Sequence, residues 1–117
     1  MKPRDSLYLH HILDAVARVE QYTQGLDRSD FDANSLVQDG VIRQIIVIGE
    51  AVKLLSDELR ARYGHIPWQD IAGMRDKLIH RYFGIDLEKV WLTAQDDLPL
   101  LKSDVMMILE QLPEDEA

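Results

Sequence analysis

An arginine, a histidine and a tyrosine lie close together in the second half of this 117-residue chain. They belong to residues 75–82, here called the motif segment, which reads Arg75-Asp76-Lys77-Leu78-Ile79-His80-Arg81-Tyr82. A guanidinium group can bind a phosphate through two parallel hydrogen bonds. An imidazole can transfer protons near neutral pH. These residue types together indicate phosphodiester chemistry.

Helical spacing limits how these side chains can act together. At about 100° per residue, Arg75 and Tyr82 lie about 20° apart around the helix axis, whereas His80 lies about 140° from Arg75. Arg75 and His80 could meet on one phosphate if the helix breaks near His80, or if two copies of the segment face each other across a two-fold axis. Asp76 and His80 are four residues apart, so we expect the carboxylate to accept the imidazole N–H.

Structural explanations fit the same residues. An Arg-Asp-Lys run on a short helix is commonly a solvated face. A histidine near a helix C-terminus can complement the helix dipole, and Tyr82 and Phe83 could be core aromatic residues. A metal-dependent enzyme is disfavoured, because no Cys occurs and His10, His11, His65 and His80 form no pair with metal-ligand spacing.

Composition limits the fold and the partners. Length and a hydrophobic content of 46% predict one globular domain, residues 1–117. The chain has 21 Asp and Glu against 13 Lys and Arg, a formal net charge of -8. This balance opposes binding of nucleic acid through bulk charge, so any such contact needs a local basic patch or a partner. Without a signal peptide or a long apolar stretch, the sequence predicts a cytoplasmic protein with no membrane contact.

Apolar residues recur at intervals of three and four along most of the chain, which predicts an all-α protein. The first helix ends near Gly25, and a further helical turn is possible after Ser29. The second helix runs to Gly64, and Gly49 within it predicts the close approach of another helix. The apolar seams of these helices are Leu9, Ile12, Val16 and Val19, and then Val41, Ile45, Ile48, Val52, Leu55 and Leu59.

Two further helices complete the predicted fold. The third starts with Pro67 in its first turn and runs toward Gly84. The last begins at the N-cap Asp86, and Pro99 within it should kink or divide the helix, because proline lacks an N–H and clashes with the preceding turn. We therefore predict an antiparallel four-helix bundle with a possible extra short helix, two copies of which form a two-fold dimer.

The motif segment resembles the signature of the HepT-like ribonucleases (the DUF86 family), which belong to the HEPN superfamily. The family pattern Arg-x4-His-x-Tyr is matched by Arg75, His80 and Tyr82, and Asp76 supplies the polar residue that commonly follows the arginine. Residues 39–53 and 67–86 are also similar to the family, and the resemblance covers residues from about 5 to 111.

This resemblance implies a metal-independent endoribonuclease toxin without a cofactor, part of a type VII toxin–antitoxin system of the HepT/MntA kind. Family members are homodimers in which both motifs line one cleft. Their partner is a minimal nucleotidyltransferase of the MNT type, which neutralises the toxin by transferring AMP to the motif tyrosine, here Tyr82. By the same resemblance Arg75 and His80 are catalytic and Asp76 supports them. Lys77 and Arg81, the other cations of the motif segment, are candidate contacts to RNA phosphates.

Two other functions stay open at the level of sequence. The chain could be a non-catalytic helical partner of a minimal nucleotidyltransferase, with the motif segment as an AMP or phosphate contact, which the acidic charge favours. It could also be a structural helical bundle, in which case the spacing of Arg75, His80 and Tyr82 is accidental.

Overall fold

The chain is helical throughout the part that the structure describes. The computed structural model describes Lys2 and residues 4–112, with the backbone alone for Tyr82. Within these ranges no strand occurs, which confirms the all-α class. The same residues contain no helix with the length and apolar character needed to span a membrane. The helices are α1 (Arg4–Thr23), α2 (Arg28–Asp32), α3 (Ser35–Leu54), α4 (Asp57–Arg62), α5 (Trp68–His80), α6 (Leu87–Leu92) and α7 (Leu98–Gln111).

Helix α3 occupies the middle of the fold. It packs against α1 on one side and against α5 on another, and α7 packs against α1. The predicted seams of α1 and α3 are buried and form one core with the buried residues of α7. The buried side chains of α7 are Leu98, Leu101, Val105 and Ile108. The periodicity therefore identified the core faces, while the four-helix bundle arrangement and the two-fold dimer stay predictions.

The prediction that the second helix runs without interruption to Gly64 was wrong. Helix α3 ends at Leu54, and α4 begins at Asp57 with Ser56 as its N-cap. The Ser56 hydroxyl accepts a hydrogen bond from the Leu59 N–H at 3.1 Å. The Asp5 carboxylate, which is 2% exposed, accepts hydrogen bonds from the N–H and hydroxyl of Ser56 at 2.8 and 2.6 Å. Leu55 and Leu59 are buried on either side of the break, so the apolar pattern continues across it.

The predicted division near Pro99 is confirmed. A π-helical turn, Thr93–Asp97, joins α6 to α7, and the Leu98 N–H donates to the Thr93 carbonyl. Proline cannot donate a backbone hydrogen bond, and its ring clashes with the carbonyl four residues earlier in a regular α-helix. The π turn just before Pro99 is wider than an α-helical turn, so it separates the proline ring from that carbonyl group. Asp86 caps α6 as predicted, because its side chain accepts hydrogen bonds from the Glu88 and Lys89 N–H groups.

Candidate active site on helix α5

The residues from Arg75 to His80 all lie in helix α5. The helix begins after Pro67 and ends at His80, where the Arg81 N–H donates to the Lys77 carbonyl at 2.9 Å. A 3-10 turn, Tyr82–Gly84, follows immediately. The break therefore comes one residue after His80, and it leaves the angle of about 140° between Arg75 and His80 unchanged. The end of the helix therefore does not bring Arg75 and His80 onto one phosphate. Of the two arrangements considered, the one that stays open is two copies of the segment facing each other.

Arg75 lies where α5 crosses α3. A Cβ atom added to Gly49 of α3 would overlap the Arg75 Cβ, and it would lie 3.0 Å from the Arg75 Cγ and 3.2 Å from the Ile71 carbonyl oxygen. The predicted close approach at Gly49 is thus confirmed. The Arg75 side chain is 24% exposed, and its Nε is buried without a hydrogen-bond partner among the described residues. The crossing therefore holds the Cβ and Cγ atoms of Arg75 against α3.

Asp76 binds two cations through one oxygen. Its Oδ1 accepts a hydrogen bond from the Lys53 Nζ at 2.5 Å and from the Arg75 Nη1 at 2.9 Å. The hydrogen bond from Lys53 and then that from Arg75 lower the pKa of the Asp76 carboxyl below its ordinary value. Because two cations share one carboxylate, the group of three side chains keeps a net positive charge.

The expected hydrogen bond between Asp76 and His80 is not formed in the part of the chain that the structure describes. The carboxylate lies toward the end of α3, where its Oδ1 already accepts hydrogen bonds from the cations Lys53 and Arg75. His80 itself is exposed on the last turn of α5. Asp76 is therefore placed to orient Arg75 rather than the imidazole.

The other predicted site residues lie close to His80 in sequence. Lys77 and Arg81 are exposed, as a contact with an RNA phosphate requires. The backbone of Tyr82 starts the 3-10 turn, but its side chain lies outside the described residues, so its proposed modification stays a prediction. Ile79 and Phe83 expose apolar surface beside them, at 40% and 101% relative exposure. Within Lys2 and residues 4–112, no group of three or more His, Asp or Glu side chains could hold a metal ion.

Sequence reasoning missed Lys53. This lysine is the penultimate residue of α3, and it links that helix to Asp76. It follows Gly49 by four residues, so the two share one helix face. A glycine that predicts a helix crossing also predicts that the residue one turn later lies near the second helix, and this signal would have identified Lys53.

Comparison with known proteins identifies the family. A family model described as "Ribonuclease HepT-like" matches residues 12–108. "Putative RNase MJ0125" of Methanocaldococcus jannaschii is 41% identical over 115 residues, which cover 97% of this chain and 99% of that protein. "Probable ribonuclease HepT" of Thermococcus cleftensis is 39% identical over 102 residues, which cover 87% and 93% of the two chains.

A longer relative also matches. "Gamma-glutamylcyclotransferase and putative RNase MJ0434" of M. jannaschii is 44% identical over 112 residues, or 96% of this chain. The chain spans about half (50%) of the length of that protein. No solved structure gives a significant match to the chain.

Proposed function

We propose that this chain, which belongs to the HepT-like ribonuclease family, is an endoribonuclease that cleaves RNA at Arg75 and His80 without a metal ion. The observation that carries the proposal is the contrast between the two side chains. Arg75 is anchored against α3 and Asp76, as an electrostatic contact to a phosphate requires. His80 is exposed at the end of the same helix, where substrate can reach its imidazole.

The active form in this proposal is a two-fold dimer. An arginine and a histidine that point about 140° apart on one straight helix cannot both reach one phosphate. A second copy supplies the missing group when the two α5 helices face each other. The exposed apolar surface of Ile79 and Phe83 lies beside His80, where such a contact would bury it.

The proposed reaction uses the 2′-hydroxyl of RNA as the nucleophile. Neutral His80 takes the proton from this hydroxyl, and the oxygen attacks the adjacent phosphorus. As the bond from phosphorus to the 5′-oxygen breaks, protonated His80 of the partner subunit donates a proton to that oxygen. Arg75 stabilises the negative charge of the phosphorane, and the products carry a 2′,3′-cyclic phosphate and a 5′-hydroxyl.

Asp76, Lys77 and Arg81 assist in this proposal. Asp76 fixes the direction of the Arg75 guanidinium through the hydrogen bond to Nη1. Lys77 and Arg81 are exposed on either side of His80 and contact the flanking phosphates. These local cations provide the positive surface that an acidic chain needs in order to bind RNA.

RNA cleavage by the purified protein in the presence of EDTA tests the proposal. Wild-type protein should cleave single-stranded RNA, and His80→Ala should lower the rate by about 10⁴-fold, since it removes both proton-transfer groups of the dimer. His11→Ala is the matched control, because His11 is exposed on α1, outside the proposed site. Loss of cleavage in EDTA would refute metal independence. Cleavage that survives His80→Ala would refute the role of His80, and no cleavage by wild type would favour a non-catalytic partner of a nucleotidyltransferase.

We further propose that the protein is the cytoplasmic toxin of a type VII toxin–antitoxin pair, silenced by a MNT-type nucleotidyltransferase that transfers AMP to Tyr82. The backbone of Tyr82 follows Arg81, and both lie directly after the catalytic helix. AMP at this position adds negative charge and bulk beside the RNA site. Mass spectrometry after co-expression should show added AMP on wild type and none on Tyr82→Phe. The same mass increment on Tyr82→Phe would place the modification at another residue.

A further inference from the structure

A second basic region lies where the start of α1 meets the end of α3 and the start of α4. It is a surface pocket of about 590 Å³, lined by Lys2, Arg4, Asp5, Tyr8, Lys53, Leu54, Leu55, Ser56, Asp57 and Arg60. Four cationic side chains face two carboxylates in this lining. A local excess of positive charge is unusual in a chain with a formal net charge of -8.

The two carboxylates of the pocket are already occupied. Asp5 is 2% exposed and accepts hydrogen bonds from the N–H and hydroxyl of Ser56 and from the N–H of Lys2. Asp57 accepts a hydrogen bond from the Arg60 Nη2 at 2.5 Å, and the Arg60 Nε is buried without a partner among the described residues. The side chains of Lys2 and Arg4 are exposed. Lys53 and Arg60 are paired with Asp76 and Asp57, so Lys2 and Arg4 are the exposed lining cations that are available for an anion.

Lys53 connects this pocket to the proposed active site. It lines the pocket, and its Nζ also donates to the Asp76 Oδ1 that accepts from Arg75. Lys53 therefore belongs both to the pocket and to the charged group of Asp76 and Arg75.

We propose that this pocket is a second phosphate-binding subsite, which binds the RNA backbone away from the scissile phosphate, with Lys53 between the two. Proteins that bind single strands use positively charged grooves that follow the backbone over several nucleotides. In an acidic protein such a path must be built from local clusters of cations. The inference rests on the proposed function, because it extends the RNA path from the same Arg75.

Binding of uncleavable oligonucleotides tests the subsite. The probes are 2′-deoxy-substituted single strands, a dinucleotide and a strand of about ten nucleotides, within the range of lengths that single-strand sites cover. Arg4→Gln should weaken binding of the longer strand about fivefold, and Lys2→Gln combined with Arg4→Gln should weaken it further. Each lost contact should reduce the slope of log K against log salt by about 0.7. The dinucleotide should show a much smaller change, because it does not extend from Arg75 to the pocket.

Arg18→Gln is the matched control, because it removes the same charge from an exposed position of α1 that does not line the pocket. Arg4→Gln removes a positive charge from the first turn of α1, which does not destabilise the helix dipole. We therefore expect Arg4→Gln to leave the fold intact. Equal losses for Arg4→Gln and Arg18→Gln, or equal losses on both probe lengths, would overturn the subsite.

The binding assay separates this inference from the proposed catalysis. If wild type binds in the expected way but cleaves no RNA, the proposed reaction fails and the subsite stands. If wild type cleaves RNA and all variants bind the longer strand equally, the subsite fails and the reaction stands. If wild type binds neither probe, the subsite is overturned.

Discussion

The two sides of α3 are packed by different means. Toward α1 and α7, α3 contributes to an aliphatic core that includes Leu9, Ile12 and Val52, all at 0% exposure. Toward α5, it offers Gly49 to the Arg75 side chain and Lys53 to Asp76. The first contact gains its free energy from apolar burial. The second brings backbones close and aligns partly exposed charged groups, and such ion pairs contribute little to stability, but this contact sets the position of the proposed catalytic arginine.

Helix α5 is also less covered than its neighbours. Trp68 and Leu78 are its buried side chains, near its two ends. On the side away from Arg75, a groove of about 680 Å³ separates α5 from the π turn and α7, with Met74 and Leu101 in its walls. A hydrogen bond from the Thr93 hydroxyl to the Met74 sulfur, at 3.2 Å, bridges this groove. The comparison indicates that the core supports the fold, while α5 carries the proposed catalytic residues.

Arg75→Ala should give the largest effect on activity and separate the two regions most clearly. We expect the loss of one phosphate contact in the transition state to cost about 3–4 kcal/mol, seen as a fall in kcat/KM of about 10²–10³. Arg75→Lys should recover only part of the lost kcat/KM, because an ammonium group lacks the planar pair of donors. If Arg75→Ala keeps activity within a few fold of wild type, Arg75 is not needed for cleavage, and its position at the α3–α5 crossing does not serve catalysis.

Leu9→Ala should give the converse result. The substitution truncates a fully buried side chain in the contact between α1 and α3. It should lower the free energy of unfolding, measured by urea denaturation, by about 3 kcal/mol. Cleavage by the remaining folded protein should be near normal. Leu7→Ala, at a position 50% exposed on the same helix, is the control and should change stability little. A large loss of activity in folded Leu9→Ala would break the division between core and chemistry.

Gly49→Ala should affect both properties at an intermediate level. The new methyl group would overlap the Arg75 Cβ, so α5 must move, at a cost of about 1–3 kcal/mol. The same movement displaces Arg75 and should lower the cleavage rate. Gly73→Ala on α5 is the control, because a Cβ there meets no atom within 4 Å. That substitution should be neutral or slightly stabilising. Identical effects of the two changes would contradict the crossing at Gly49.

The smallest expected effect concerns pH. The lowered pKa of Asp76 means that its contacts with Lys53 and Arg75 stabilise the folded protein above the ordinary carboxyl pKa of about 4. This contribution should be lost as the pH falls through the lowered value. It should be modest, because the carboxylate is 43% exposed. Urea unfolding of wild type and Asp76→Asn should differ slightly near pH 6 and converge in acid. A difference independent of pH would exclude this charge contact.

Local signals in the sequence account for most of the secondary structure. The caps at Asp86, the division before Pro99 and the apolar seams each depend on residues within one or two helical turns. The break at Ser56 could not be predicted in this way. It depends on Asp5, which lies 51 residues away in sequence and satisfies two polar groups of Ser56. An apolar pattern that continues across a break cannot reveal it.

The sequence alone determined the all-α class, the core faces of the helices and the residue types that could act on a phosphate. These properties follow from helical periodicity and from side-chain chemistry, both of which are local. The tertiary structure decided which charges meet. It placed Asp76 beside Lys53 and Arg75 instead of His80, and it set the base of Arg75 against Gly49. Such pairings depend on where two helices cross, and that point is set by the packing of the whole chain.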